Sequence, residues 1–291
     1  MTIPLAVGVA VVAVTAVLAA QALLRSRVPE DGLWGRPEPN HSGSVMAVMG
    51  GVFAILVAFV MFLAFQNFVT AKRSADTEAV AVERQFHEAG ALHPALRRHV
   101  YGDLVCYSRA VIEDEWPKLE EGDHSELVDD WGLESESTFR LARLSDPAEA
   151  EASRQINEIE QDREEARRDR ITAADGFVPA LLWVALITGG TLLILYILSF
   201  VNPGIRRGLQ MLQLAAVTTV AALNLCVVAF LDTPFSGAAG SVGPTAMERT
   251  LEELDRELEL QPTPVAIPCD ESGRPEAGHA GPIRNMGPAP R

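Results

Sequence analysis

Four long stretches of the sequence contain no charged residue: Ile3 to Leu24, Val45 to Phe65, Phe177 to Val201 and Leu209 to Leu231. Other scarcities narrow the chemistry. There are three cysteines, Cys106, Cys226 and Cys269, with neither metal-ligand spacing nor an even disulfide framework, so they read as three thiols. The six histidines (His41, His87, His93, His99, His124, His279) form no ligand pattern. Glycine-rich phosphate loops, nucleophile elbows and His-Glu-x-x-His are all missing. These gaps argue against an enzyme and call for no cofactor or metal. Basic residues are also short, 24 against 39 acidic for a net charge of −15, and no basic patch interleaves with aromatics. Nucleic acid is therefore excluded as a partner.

What is present is segregation. Hydrophobic residues make up 48% of the chain and gather in the four uncharged blocks, with the charges between and after them. A bilayer imposes this, since a charge at the centre of a spanning helix costs about 2.5–3.5 kcal/mol on insertion scales. Each block has the roughly 20 residues needed to cross about 30 Å of hydrocarbon. Backbone groups in lipid must pair internally, and continuous apolar runs without two-residue alternation indicate helix. The first block lacks a preceding basic residue and exceeds the usual apolar length of a signal peptide, so it reads as a span. The expected fold is an all-α integral membrane protein: four transmembrane helices, with a helical extramembrane region between the second and third.

Six segments follow. Residues 1–44 hold the first span and an irregular connection rich in Pro and Gly; residues 45–71 are the second span. Residues 72–175 form the extramembrane region, with 26 acidic and 14 basic side chains. No Gly or Pro occurs between Thr70 and Glu88, so the second helix should run past the membrane. Further helices are expected over Pro94 to Glu115, stopped by Trp116-Pro117, and over Pro147 to Ala174, feeding straight into the third span. The acidic stretch Glu120 to Ser137 between them reads as a loop. Residues 176–231 form a hairpin of spans three and four, joined by the short link Asn202 to Arg207. Residues 232–260 give a turn and a short amphipathic helix with Met247, Leu251, Leu254 and Leu258 on one face. Residues 261–291, rich in Pro, Gly and charge, read as a disordered tail.

An even number of spans puts both chain ends and the large region on one side. That side carries seven basic residues near the spans (Lys72, Arg73, Arg84, Arg163, Arg167, Arg168, Arg170). The other carries five (Arg25, Arg27, Arg36, Arg206, Arg207). The count leans toward a plasma-membrane protein with its large region and ends in the cytoplasm, although the short loops, which weigh most, lean the other way.

Four local patterns coincide in order. They are Glu78-Ala79 after span two; Tyr107, Val111 and Glu115-Trp116-Pro117; Val178-Pro179 with Trp183 opening span three; and Asp232, Pro234, Phe235 and Gly237 closing span four. Together they resemble the bestrophin-like domain family, a group of bacterial and plant membrane proteins, over roughly residues 40 to 260. The resemblance implies a homo-oligomer in the lipid bilayer that passes small inorganic anions, because bestrophins are pentameric anion channels whose large helical region is cytosolic. It implies a hydrophobic pore lined by the second span. It does not extend to the calcium site of some bestrophins, since Ala238 to Val242 contain no carboxylate.

Candidate pore residues follow from that resemblance and from helical spacing. Val52, Leu56, Phe59, Leu63 and Gln66 share one stripe of span two, and Asn67 lies on the neighbouring one. Phe59 and Leu63 suit a constriction that gates by dewetting, with Gln66 and Asn67 at a polar mouth. The same residues equally suit contact with lipid or with other helices. A non-conducting scaffold whose acidic region binds a protein partner is the alternative function.

Overall fold

The computed structural model describes residues 3–27, 39–141, 146–199 and 206–276. The link between spans three and four, most of the first connection and the end of the tail lie outside those residues. Helix follows helix: α1 (Ile3–Arg27), α2 (Pro39–Ala89), α3 (Pro94–Ala110), a π-helical turn (Val111–Glu115) and α4 (Trp116–Glu120). Then come α5 (Glu126–Leu141), α6 (Pro147–Ala174), α7 (Ala180–Ser199), α8 (Arg207–Asp232) and α9 (Thr245–Glu259). No strand forms among the described residues. A single isolated bridge joins Cys269 and Pro275. The chain divides into two units, one of residues 1–68 and 176–240, the other of residues 69–175 and 241–291.

Unit 1 holds α1, the first part of α2, α7 and α8. Among the described residues, four helices are long and apolar enough to cross a membrane: α1, α2, α7 and α8. α1 and α7 each pack against α8. Val57, Val60 and Ala64 of α2 meet Leu186 of α7 and Val228 of α8 in a buried cluster. Phe53 lies against Gly189 and Gly190, where a Cβ would sit only 3.1–3.3 Å from its ring. Ala54 and Ala58 of α2 line an apolar cavity of about 470 Å³ with Phe53, Met61 and Val220. Asn224, at its edge, spends its amide on the Val220 carbonyl at 2.8 Å.

Unit 2 holds the rest of α2, then α3 to α6 and α9. α2 is 51 residues long, about 75 Å at 1.5 Å per residue, far beyond a hydrocarbon core. Its Ala71, Ala75, Ala79, Val82 and Phe86 are buried at helical spacing. Of the apolar stripe at helical spacing over Leu96, Val100, Leu104, Tyr107 and Val111, the last four are buried and Leu96 is half-buried. Phe86 stacks on Tyr101 with centroids 3.9 Å apart. α9 buries Met247 and Leu254, with Leu251 and Leu258 half-buried.

Five local expectations are corrected. Trp116-Pro117 does not stop the helix. Pro117 lacks an N–H and would clash with the carbonyl four residues back in a regular helix. The π turn widens the spiral at that point, with the Trp116 N–H bonding back to Val111 O, and α4 continues to Glu120. The acidic stretch read as a loop forms α5 from Glu126, its start held by Ser125 Oγ accepting from the Val128 N–H at 3.3 Å. Its buried residues Val128, Trp131, Glu134 and Ser135 supply a periodicity that the acidic composition masked. α6 does not feed directly into α7, because Gly176 breaks the chain at φ +79°.

The tail and the cysteines complete the list. Residues 261–276, expected to be disordered, are held in place: Trp131 Nε1 donates to Gly273 O at 2.7 Å. Gly273 takes φ +75° in van der Waals contact with α3, where a Cβ would fall 2.5 Å from Ala110 N. Cys106 and Cys269 form a disulfide across 163 residues of sequence, while Cys226 remains a thiol buried in α8. A sequence offers no way to see two cysteines so far apart brought together.

Candidate functional site: the open face of the second helix and the buried supports behind the motifs

Among the described residues of unit 1, none covers the α2 face opposite Val57, Val60 and Ala64. Val48, Val52, Ile55, Phe59, Phe62 and Gln66 recur there at steps of three and four residues, and Phe59 is 54% exposed. Of the candidate pore residues, Phe59 and Gln66 lie on this face. Leu63 and Asn67 are half-buried at its margin, and Leu56 packs toward the core cluster. Ile55 and Phe62 are exposed members outside the sequence stripe; steps of three from Val52 and from Phe59 find them.

The turn after span four is built around Asp232. Its Oδ1 accepts the backbone N–H groups of Phe177 and Val178, both at 2.8 Å, and its Oδ2 accepts Trp183 Nε1 at 3.3 Å. The carboxylate thus ties the residues leading into α7 to the end of α8, pairing two backbone N–H groups just ahead of the helix. Gly176 is called for by its φ of +79° rather than by space, since an added Cβ would lie at an ordinary 3.4 Å from Asp232 O. Pro234 and Phe235 are buried behind this tie, and Gly237 turns the chain at φ +63°.

The remaining motif residues converge in unit 2. Arg170 of α6 is fully buried and donates from Nε and Nη2 to Glu78 of α2 at 2.7 and 2.9 Å, and from Nη2 to Glu115. Arg167 bonds Glu115 Oε1 at 2.6 Å and also pairs with Asp129. Tyr107 donates its hydroxyl to Glu78 at 2.7 Å, and Arg163, paired with Glu160, lies 3.9 Å over the Tyr107 ring. Trp116 lies under Arg170, and its Nε1 donates to Val242 O at 3.3 Å. The π turn is what aims Glu115 and Trp116 at α6, since an extra residue per turn resets the helical phase after Val111.

Electrostatics in this cluster balance. Burial alone would raise the Glu115 carboxyl; the charges of Arg170 and Arg167 outweigh it and hold the group below its ordinary value. Burial, followed by the Glu78 charge, pushes the Tyr107 hydroxyl well up, so it stays a donor. Arg163 and Arg167 also edge a cavity of about 410 Å³ with Tyr107 and Gly132. Arg170, the centre of the network, stands out in the sequence only as a positive charge flanking a span; no local spacing marks an Arg on α6 as the partner of acids 92 and 55 residues away.

The model of the bestrophin-like domain matches residues 9–247. The chain belongs to the bestrophin-like family. Solved structures agree with the fold. A point variant of a bacterial bestrophin homologue from Klebsiella pneumoniae is 15% identical, with a TM-score of 0.65, covering 86% of this chain and 99% of that one. A second variant of the same homologue is 14% identical with a TM-score of 0.66, over 84% and 98% of the two chains. No curated protein matches the chain. Within that fold, Glu78, Tyr107, Glu115 and Trp116 build the buried ion network, and Val178, Trp183 and Asp232 tie the lead into α7 to the end of α8.

Proposed function

We propose that this membrane protein is an oligomeric channel for small inorganic anions, in which copies of α2 surround the conduction path, and that it is not an enzyme. The observation that carries the reading is the uncovered α2 face of Val52, Ile55, Phe59, Phe62 and Gln66. A ring of such phenylalanines forms a constriction that excludes water until it widens. Gln66 and, at the margin, Asn67 supply amide groups at one end. Family membership supports the channel class, and fold-level kinship alone is a weaker warrant than the face itself.

The test is chloride flux through liposomes containing the purified oligomer. Phe59→Ala and Phe62→Ala should each raise leak flux, and Gln66→Ala should change anion preference. Liposomes that stay silent while holding an oligomer verified by native mass spectrometry would sink the channel reading and favour a scaffold whose acidic region binds a protein.

Orientation belongs to the same proposal. The seven-to-five basic count and the bestrophin layout support a cytoplasmic unit 2. Against them stands the Cys106–Cys269 disulfide, because such bonds persist in oxidising compartments and are rare in the cytosol. The five arginines of the two short connections support retention of those connections in the cytoplasm. Long regions cross with little regard to charge, so the short connections and the bond carry more weight. We therefore read unit 2 and both chain ends as lying on the non-cytoplasmic side of the plasma membrane. Alkaline phosphatase fused after Glu259 should be active, and fluorescence from a green fluorescent protein at that position would reverse the assignment.

A further inference from the structure

Three side chains with metal-binding atoms meet where α3 packs on α5: His99, Asp103 and Glu134, one ligand atom from each lying within 4.8 Å of the others. His99 and Asp103 are one helical turn apart and share a face of α3. Glu134 comes from α5, whose Trp131 one turn earlier holds the tail. Both acids are buried, and the His99 side chain is 44% exposed at the rim.

Asp103 is the anomaly. It is 2% exposed, yet neither carboxylate oxygen has a hydrogen-bond partner. His99 Nε2 stands 3.7 Å from Oδ2, beyond hydrogen-bond range. The buried acids Glu78, Glu115 and Glu160 each sit against an arginine. Buried carboxylates are ordinarily paired or bonded in this way. A proton is the simplest alternative, since burial and then the Glu134 charge push the Asp103 carboxyl up to about 8. A protonated carboxyl still needs an acceptor for its hydroxyl, and neither oxygen has one. A cation supplies what both oxygens lack.

We propose that His99, Asp103 and Glu134 bind a divalent transition-metal ion of the zinc class. Imidazole with two carboxylates is a donor set for zinc rather than for calcium or magnesium, which favour all-oxygen shells. Ligand atoms about 2 Å from zinc stand roughly 3.3 Å apart, so small side-chain rotations from the observed spacing complete the site. Three protein ligands leave a fourth position open toward solvent beside His99. The ion would clamp α3 to α5 next to Gly102, whose backbone lies against Pro268 of the tail. The site is independent of whether the protein conducts ions.

The experiment uses the full chain in detergent, stripped of metal, with zinc titrated at pH 7.5 against a chromogenic chelator. About one zinc per chain should bind. His99→Ala and Asp103→Asn should each weaken binding at least tenfold, and calcium or magnesium at a hundredfold excess should not displace it. His87→Ala, which removes an exposed histidine paired with Glu257, should leave binding unchanged. Zinc should raise the melting temperature of the parent and not of Asp103→Asn. The metal-free Asp103→Asn protein should melt no lower than the metal-free parent, because the carboxyl it replaces is buried with neither oxygen hydrogen-bonded. If Asp103→Asn does not fold, the exposed His99 variant decides. Absence of zinc binding by the parent, or parental affinity in the His99 variant, overturns the site.

Discussion

Replacing Arg170 by methionine removes the centre of the unit 2 ion network while keeping most of its volume. The side chain is fully buried, and so are its partners Glu78 and Glu115. Breaking a buried pair by deleting one member costs about 3–5 kcal/mol, because the remaining charge is left in a poor solvent. Domain stabilities are only about 5–15 kcal/mol, so this loss is a large share of the total. Arg168→Ala is the matched control: that arginine is 75% exposed and pairs with Glu164 one turn away, an interaction worth about 0–1 kcal/mol.

The pH dependence sharpens the test. Glu115 has a folded pKa below its ordinary 4.5. Its contribution is therefore present above that unfolded value and is lost as pH falls through the folded one. In Arg170→Met, the burial of Glu115 loses its largest opposing charge and the folded pKa rises, so protonation restores part of the stability. The gap between variant and parent should be widest near pH 7 and narrow toward pH 5, and adding Glu115→Gln should recover part of the loss. The assay is denaturant unfolding of detergent-solubilised protein followed by tryptophan fluorescence, to which Trp116 beneath Arg170 contributes. A cost no larger than that of Arg168→Ala, or a gap that does not change with pH, would refute the argument.

Other outcomes are as specific. Denatured without reductant, the protein should react with one maleimide, at Cys226, and with three after reduction. Closing a loop of 163 residues restricts the unfolded chain by about 5 kcal/mol in the chain-entropy model, so reduction should lower the unfolding midpoint sharply. Asp232→Ala removes the acceptor for two backbone N–H groups just ahead of α7 and should cost about 1–3 kcal/mol, measured by thermal denaturation in detergent, with Asp232→Asn milder. Gly273→Ala forces a Cβ to 2.5 Å from Ala110 N. It should release the tail, read as faster proteolysis between Gln261 and Glu276, whereas Gly208→Ala, which meets nothing within 4 Å, should not.

The membrane helices were legible because lipid is a uniform solvent. The absence of charge over about 20 residues needs no knowledge of neighbours, and all four expected blocks fall within α1, α2, α7 and α8 or within a few residues of their ends. α6 was legible because Asp146, Pro147 and the lack of later breakers mark its bounds, and the structure gives Asp146 Oδ1 accepting from the Ala148 N–H at 2.8 Å. Long-range chemistry was opaque. Nothing near Cys269 points to Cys106, and nothing in the composition of 120–137 tells a solvated acidic loop from a helix with Val128 and Trp131 on its buried side. The Trp116-Pro117 reading failed for a different reason: a local rule was right about the clash, and the helix answered it by widening instead of stopping.

The shared motifs of the chain bear on architecture more than on conduction. Glu78, Tyr107, Glu115 and Trp116 meet Arg170 and lock α2, α3, α4 and α6 together, and Asp232 locks the lead into α7 to the α8 end; none of them lies on the open α2 face. A sequence could keep every motif, fold as this chain does, and lose its pore by changing Phe59, Phe62 and Gln66 alone. Family resemblance therefore speaks to the scaffold, and the channel assignment stands or falls on the α2 face. Substitutions there should change flux at unaltered stability, since Phe59 and Phe62 are more than half exposed in the protomer. Arg170→Met should do the reverse, lowering the amount of folded protein without altering the ion preference of what remains. A Phe59→Ala protein that melts early and conducts as the parent does would place that residue in the fold instead of in the pore.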